Sequence, residues 1–173
     1  MKKYLIFVGF LSASSLAMAQ AYQQYGTDHE LKFNMGQFLV NSTVEGSYEY
    51  YFTEDTSIGG TVYFNGDATG RNGNFGIGPN LRAYFGYRPK SGFFAEAFGL
   101  YFTGQDDIDE DTLGRRNTDY GATAIGLGFG RKWATFNQKL TFELYGGLGR
   151  TITDRDEVDA FLFRGGLSIG FRF

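Results

Sequence analysis

The chain has 173 residues, no cysteine, a formal net charge of −3, and 26 Gly, 12 Tyr and 19 Phe against 2 Pro. Without cysteine it carries no disulfide framework, thiolate chemistry or lipid attachment after a leader. Without a basic stripe it offers no footprint for nucleic acid. A mean hydropathy of −0.27 does not exclude a membrane protein, because a barrel that alternates lipid-facing and lumen-facing residues averages to an ordinary value.

The first element is a leader. Met1-Lys2-Lys3 is basic, Tyr4 to Leu16 is apolar, and Ala17-Met18-Ala19 is an A-x-A cleavage site. This is the pattern of a secretory signal peptide spanning 1–19, with the mature chain starting at Gln20. The apolar run falls short of the roughly 20 residues of a spanning helix. Cleavage leaves 173 − 19 = 154 residues, one domain over 20–173, with a net charge of 14 − 19 = −5.

Eight strands follow, at about 30–41, 43–53, 57–65, 75–87, 92–104, 119–133, 139–151 and 160–173. Their apolar residues recur at every second position, so each strand has one greasy and one polar face. In the second, Val44, Tyr48, Tyr50 and Phe52 oppose Glu45, Ser47, Glu49 and Tyr51. In the fourth, Phe75, Ile77, Leu81, Ala83, Phe85 and Tyr87 oppose Gly76, Gly78, Asn80, Arg82, Tyr84 and Gly86. The fifth alternates poorly, since Phe94, Phe98 and Leu100 share a face with Glu96, which is assigned inward. In the seventh, Leu140, Phe142, Leu144 and Leu148 oppose Thr141, Glu143, Tyr145, Gly147 and Gly149. The last sets Phe161, Phe163, Leu167, Ile169, Phe171 and Phe173 against Leu162, Arg164, Gly166, Ser168, Gly170 and Arg172.

The connections alternate in length. Thr53–Thr56, Arg88–Ser91 and Ala134–Gln138 are short; Asn65–Asn74, Thr103–Thr118 and Ile152–Asp159 are long and polar. Short periplasmic turns opposite longer external loops are the habit of outer-membrane barrels. The connection near Asn41–Thr43 is tight and breaks the pattern. Aromatic residues sort to two rims, as headgroup girdles do. Tyr50, Phe52, Tyr87, Phe93, Trp133, Phe171 and Phe173 fall at the periplasmic one; Phe64, Phe75, Tyr101, Tyr120 and Phe161 fall at the outer one.

With its Lys-Lys leader, eight Gly- and aromatic-rich strands and closing Gly-Phe-Arg-Phe, the chain resembles the small outer-membrane β-barrel proteins of the OmpA/OmpX type. The resemblance implies an all-β fold, an eight-stranded antiparallel up-and-down transmembrane β-barrel in a Gram-negative outer membrane. It also implies that Phe171 and Phe173 are the signal read by the barrel-insertion machinery. The family includes structural anchors, adhesion or serum-resistance proteins and a few lipid-modifying enzymes.

If apolar faces meet lipid, the charged faces line the lumen. The inward bases are Lys32, Arg82, Arg88, Arg164 and Arg172; the inward acids are Glu45, Glu49, Glu96 and Glu143. Charges in a narrow lumen must pair, and Arg82 with Glu96, and Glu143 with Arg164, sit on adjacent strands. An eight-stranded barrel is only wide enough for its own side chains, so a closed, charge-plugged lumen is expected.

Candidate chemistry is thin. Gly126, Gly128 and Gly130 keep a period of two and lack the spacing of a phosphate loop, so they read as a lumen-facing glycine row. His29, the sole histidine, reads as a solvated residue ahead of the first strand, with no Ser nearby to make a catalytic pair. The acidic run Asp106–Asp111 reads as a solvated external loop, or else as a divalent-ion bridge to lipopolysaccharide phosphates or a surface ligand. No catalytic, cofactor or metal site is expected. The partners implied are outer-membrane lipid and lipopolysaccharide, the insertion machinery, and an unknown surface ligand at 65–74, 103–118 and 152–159; a monomer is expected. The competing readings are an outer-membrane lipid-modifying enzyme and a soluble periplasmic barrel of lipocalin shape, which would place apolar residues inside.

Overall fold

A computed structural model of the chain describes residues 26–66, 73–106, 118–153 and 159–173. The leader and most of the acidic run lie outside the described residues. The elements are β1 (His29–Asn34), α1 (Met35–Asn41), β2 (Val44–Tyr51), β3 (Thr56–Phe64), β4 (Phe75–Phe85), β5 (Gly92–Asp106), β6 (Thr118–Ala134), β7 (Leu140–Thr151) and β8 (Phe161–Arg172). Each strand pairs antiparallel with the next, and β8 pairs with β1 to close the barrel. The closing seam is bonded at its end, with Phe173 N–H donating to the His29 carbonyl at 2.9 Å.

The two-residue period decides which way each side chain points. Leu81, Phe129, Phe142, Leu144, Phe163 and Phe171 are exposed on the outer wall, while Arg82, Glu143 and Arg172 on the same strands are buried inside. A water-soluble barrel has the opposite sidedness. On β5 the inner face is itself apolar: Phe94, Phe98, Leu100 and Phe102 are buried around Glu96, and the outer face carries Ala95, Ala97 and Gly99.

Three expectations change. The first strand does not run to 41: β1 stops at Asn34 and the chain turns into α1. Asn34 caps that helix by accepting the Gln37 N–H at 3.1 Å, which turns the backbone out of the ladder. Ser42, at φ 54°, ends it. Because β1 meets β8 only from Glu30↔Arg172 to Asn34↔Ser168, the outer half of β8 has a helix beside it in place of a strand. Gln37 Nε2 donates to the Gly165 carbonyl at 2.7 Å, and Gly36 allows the close approach: a Cβ there would sit 2.8 Å from the Leu167 nitrogen. Phe38, Leu39 and Val40 remain exposed, so the apolar belt continues across the helix. Here lies the reason for the tight first connection.

Arg88 does not enter the lumen. β4 ends at Phe85, and Arg88 is an exposed residue of the following turn. Tyr120 does not belong to the outer girdle: it shares the inward face of Ala122 and Ala124, and its ring meets Phe102 edge-on, with centroids 6.4 Å apart.

Candidate functional site

The concentration of chemistry is in the lumen. Among the described residues five acids (Glu30, Glu45, Glu49, Glu96, Glu143) and five bases (Lys32, Arg82, Lys132, Arg164, Arg172) point inward, an exact balance of charge. A buried charge without a partner is costly, and the balance means that no net charge is left stranded in the interior.

The network has two hubs. Glu49, on β2, accepts from Lys32 Nζ at 2.7 Å and Lys132 Nζ at 2.8 Å, and also from the hydroxyls of Ser57 and Tyr84. Lys132, on β6, reaches Glu49, Glu30 at 3.2 Å and Glu143 at 3.4 Å, and donates to the hydroxyls of Tyr51 at 2.7 Å and Tyr84 at 2.9 Å. Arg82 extends the network across the lumen, with Nε donating to Glu96 Oε2 at 2.6 Å and Nη1 to Glu143 Oε2 at 2.8 Å. Its guanidinium also lies 4.5 Å from the centre of the Phe94 ring.

Nearer the chain ends, Arg172 Nε donates to Glu30 Oε2 at 2.8 Å, and Thr141 Oγ1 donates to Glu30 Oε1 at 2.7 Å. Arg172 also donates to the Lys90 carbonyl, tying the β4–β5 turn to the network. Toward the opposite end, Glu45 accepts from Asn34 Nδ2 at 3.1 Å and from the Tyr145 hydroxyl at 2.7 Å. Beyond that level the interior turns apolar, with Tyr63, Phe98, Leu100, Phe102, Tyr120, Ala122, Ala124 and Leu162 forming one buried cluster.

Of the residues assigned to the lumen from sequence, Lys32, Glu45, Glu49, Arg82, Glu96, Glu143, Arg164 and Arg172 all lie there. The Arg82–Glu96 pair forms, on directly opposed residues of β4 and β5. The Glu143–Arg164 pair does not. Glu143 stands opposite Ser168 and Arg164 opposite Gly147, so the ladder separates them; Arg164 turns instead to Glu96 at 3.6 Å and lies over the Phe98 ring. Sequence reasoning missed Lys132 and Glu30. Each had a signal, because Lys132 continues the parity of Gly126, Gly128 and Gly130, and Glu30 that of Lys32.

The glycine row does face inward: a Cβ on Gly126 or Gly130 would strike the ring of Phe98 or Phe94. His29 is not a solvated residue ahead of the barrel. It is the first residue of β1, on the outward parity of Leu31 and Phe33, so its ring meets the neighbouring strands' aromatics. Its Nδ1 shares a 2.6 Å hydrogen bond with the Tyr48 hydroxyl, and its ring lies 5.2 Å from Tyr50 and 5.8 Å from Phe173. Phe171 and Phe173 are exposed and stacked on one another at the same rim.

No protein-family model matches the chain, and no curated protein matches it. Among solved structures it is similar to the N-terminal β-barrel domain of Pseudomonas aeruginosa OprF, with a TM-score of 0.53 and 17% identity over 84% of this chain and 95% of that one. At that identity the likeness is one of fold: both are β-barrels, and in this chain the barrel is closed and eight-stranded.

Proposed function

We propose that the chain is an outer-membrane β-barrel protein of a Gram-negative bacterium, exported by a leader cleaved after Ala19, with a non-enzymatic structural or surface-interaction role. One observation carries this reading: the barrel is greasy outside and charged inside. A belt of exposed Phe, Leu and Ile suits hydrocarbon, where every backbone group must be bonded within the wall. Lipid and lipopolysaccharide are the surroundings of that belt. Phe171 and Phe173 serve as the insertion signal, and the connections at 65–74, 103–118 and 152–159 present the surface for any external ligand.

The lumen is closed to general solutes by two layers in series, the charge network and the apolar cluster above it. The soluble-barrel alternative is disfavoured because the interior at the level of Glu49 and Lys132 holds paired charges while the outer wall is apolar. An enzyme reading finds no support at His29, whose hydrogen-bond partner is a tyrosine.

The test is heat-modifiability of the protein in the outer-membrane fraction. A compact species that shifts on boiling supports the reading, and recovery from the soluble periplasm without a shift overturns it.

A further inference from the structure

The outer wall holds one residue that its surroundings do not explain. Arg131 lies on the outward face of β6, opposite Phe93 on β5 and Leu144 on β7. It is exposed and takes part in none of the ion pairs found among the described residues. Its guanidinium is held between two rings instead, 4.8 Å from the centre of Phe93 and 5.1 Å from Trp133. A cation on a lipid-facing wall is costly unless it reaches the headgroup layer. Arg131 lies two positions in from Trp133, about 7 Å along the strand.

Beside it is a groove of about 420 Å³, between the β4–β5 turn and the end of β6. Phe85, Tyr87, Phe93 and Trp133 make its apolar walls, and Arg88 and Arg131 stand on it. The groove exists because Gly86 and Gly92 fold the turn tightly: Gly92 adopts φ +107°, and a Cβ on it would sit 2.8 Å from the Gly86 Cα. β6 therefore runs on past its β5 partner, leaving Trp133 and Ala134 as a free wall.

We propose that this groove binds an anionic glycerophospholipid of the periplasm-facing leaflet, with the phosphodiester against Arg131 and an acyl chain along the aromatic wall. The assignment rests on the membrane-spanning reading above. Charge complementarity selects the ligand: a planar guanidinium matches a phosphate's oxygens, and the apolar side chains of Phe93, Trp133 and Leu144 around it suit an acyl chain.

Trp133 is the only tryptophan of the chain, so it reports on this groove directly. The full chain is folded into phosphatidylcholine vesicles, with folding read by the gel shift on boiling, and a small fraction of lipid is replaced by brominated phosphatidylglycerol or brominated phosphatidylcholine. The site predicts severalfold stronger Trp133 quenching by the brominated phosphatidylglycerol. It also predicts that Arg131→Gln removes the difference while Arg150→Gln, which neutralises an exposed arginine at the far end of β7, leaves it intact. Equal quenching by the two lipids in folded wild type overturns the site and leaves the barrel reading standing. So does an excess that survives Arg131→Gln or that Arg150→Gln removes equally. A chain that does not fold into vesicles overturns both. If Arg131→Gln fails to fold, equal quenching by the two lipids in folded wild type still overturns the site.

Discussion

Lys132 Nζ lies 2.8 Å from Glu49 Oε2, and the two residues come from β6 and β2, strands four apart in a ring of eight. The ion pair therefore bridges opposite walls of the barrel. Neighbouring strands are already joined by their ladders, so a contact across the lumen adds a constraint that no ladder supplies. Lys132 also touches Glu30 and Glu143, and removing it leaves three carboxylates sharing fewer cations. Breaking a buried pair by deleting one partner costs about 3–5 kcal/mol. Lys132→Met is expected to lower the stability of the folded barrel by that order, read from urea unfolding in vesicles. Lys132→Met combined with Glu49→Gln restores the charge balance and is expected to cost less than the two single changes summed. Strict additivity would show that the pair does not act as a unit.

In the closed lumen proposed above, charge near Glu49 and the apolar cluster that includes Phe98, Leu100 and Phe102 stand in series. Barriers in series mean that opening one leaves the other limiting. Single-channel recordings in planar bilayers are expected to show near-baseline conductance for Arg82→Ala alone and for Phe98→Ala with Phe102→Ala alone. The combination of all three is expected to conduct measurably. Conductance from Arg82→Ala alone would place the whole barrier in the charge network.

Much of this was legible because a period of two is unambiguous: the parity of Leu140 to Gly149 names the inner and outer faces of β7 without any structure. Legibility failed where parity was not followed or where the strand ended. Lys132 sits in step with Gly126, Gly128 and Gly130 and needed only two more residues of the same count. The parity of Arg82, extended past Phe85, points Arg88 inward, but the chain has already turned there. Tyr120 lies near a strand end, where a girdle residue is expected, but its step with Ala122 and Ala124 marks it as inward. α1 is harder to read. Seven residues are too few to show a helical period, and Phe38-Leu39-Val40 is equally apolar as a lipid-facing strand; the cap at Asn34 was the only local cue. The ion-pair partners within the lumen were not legible at all beyond adjacent strands, because contacts such as Lys132 to Glu49 depend on closure.

The Phe98 ring lies along the inner wall over the adjacent strands β6 and β7, and glycines make room for it. A Cβ on Gly126 would strike the Phe98 ring and would sit 2.5 Å from the Leu148 carbonyl oxygen, and a Cβ on Gly147 or Gly149 would lie 3.3 Å from the ring. Overpacking of this kind costs about 1–3 kcal/mol. Gly126→Ala is expected to lower the unfolding midpoint in vesicles, and Phe98→Leu in the same chain is expected to recover part of the loss. If Phe98→Leu gives no recovery, the backbone contact with Leu148 is the dominant clash.

Asn34 does two tasks at one position. Its Oδ1 caps α1 by accepting from Gln37, and its Nδ2 donates to Glu45 Oε1 and to the Tyr145 hydroxyl, each at 3.1 Å. The residue thus joins the helix that completes the wall to the charge network inside it. Replacing a helix cap with alanine costs about 0.5–2 kcal/mol, and the loss should appear first where the helix substitutes for a strand. Asn34→Ala is expected to raise hydrogen exchange across Arg164–Leu167 of β8, the stretch that lies beside α1 beyond the last β1 pairing at Ser168. Exchange at Phe171 and Arg172, which pair with β1 directly, is expected to change little. Gln37→Ala should reproduce the β8 effect alone, because it removes the bond to Gly165 and leaves Glu45 satisfied. Equal loss of protection along the whole of β8 would mean that Asn34 holds the closing seam itself and not the helix beside it.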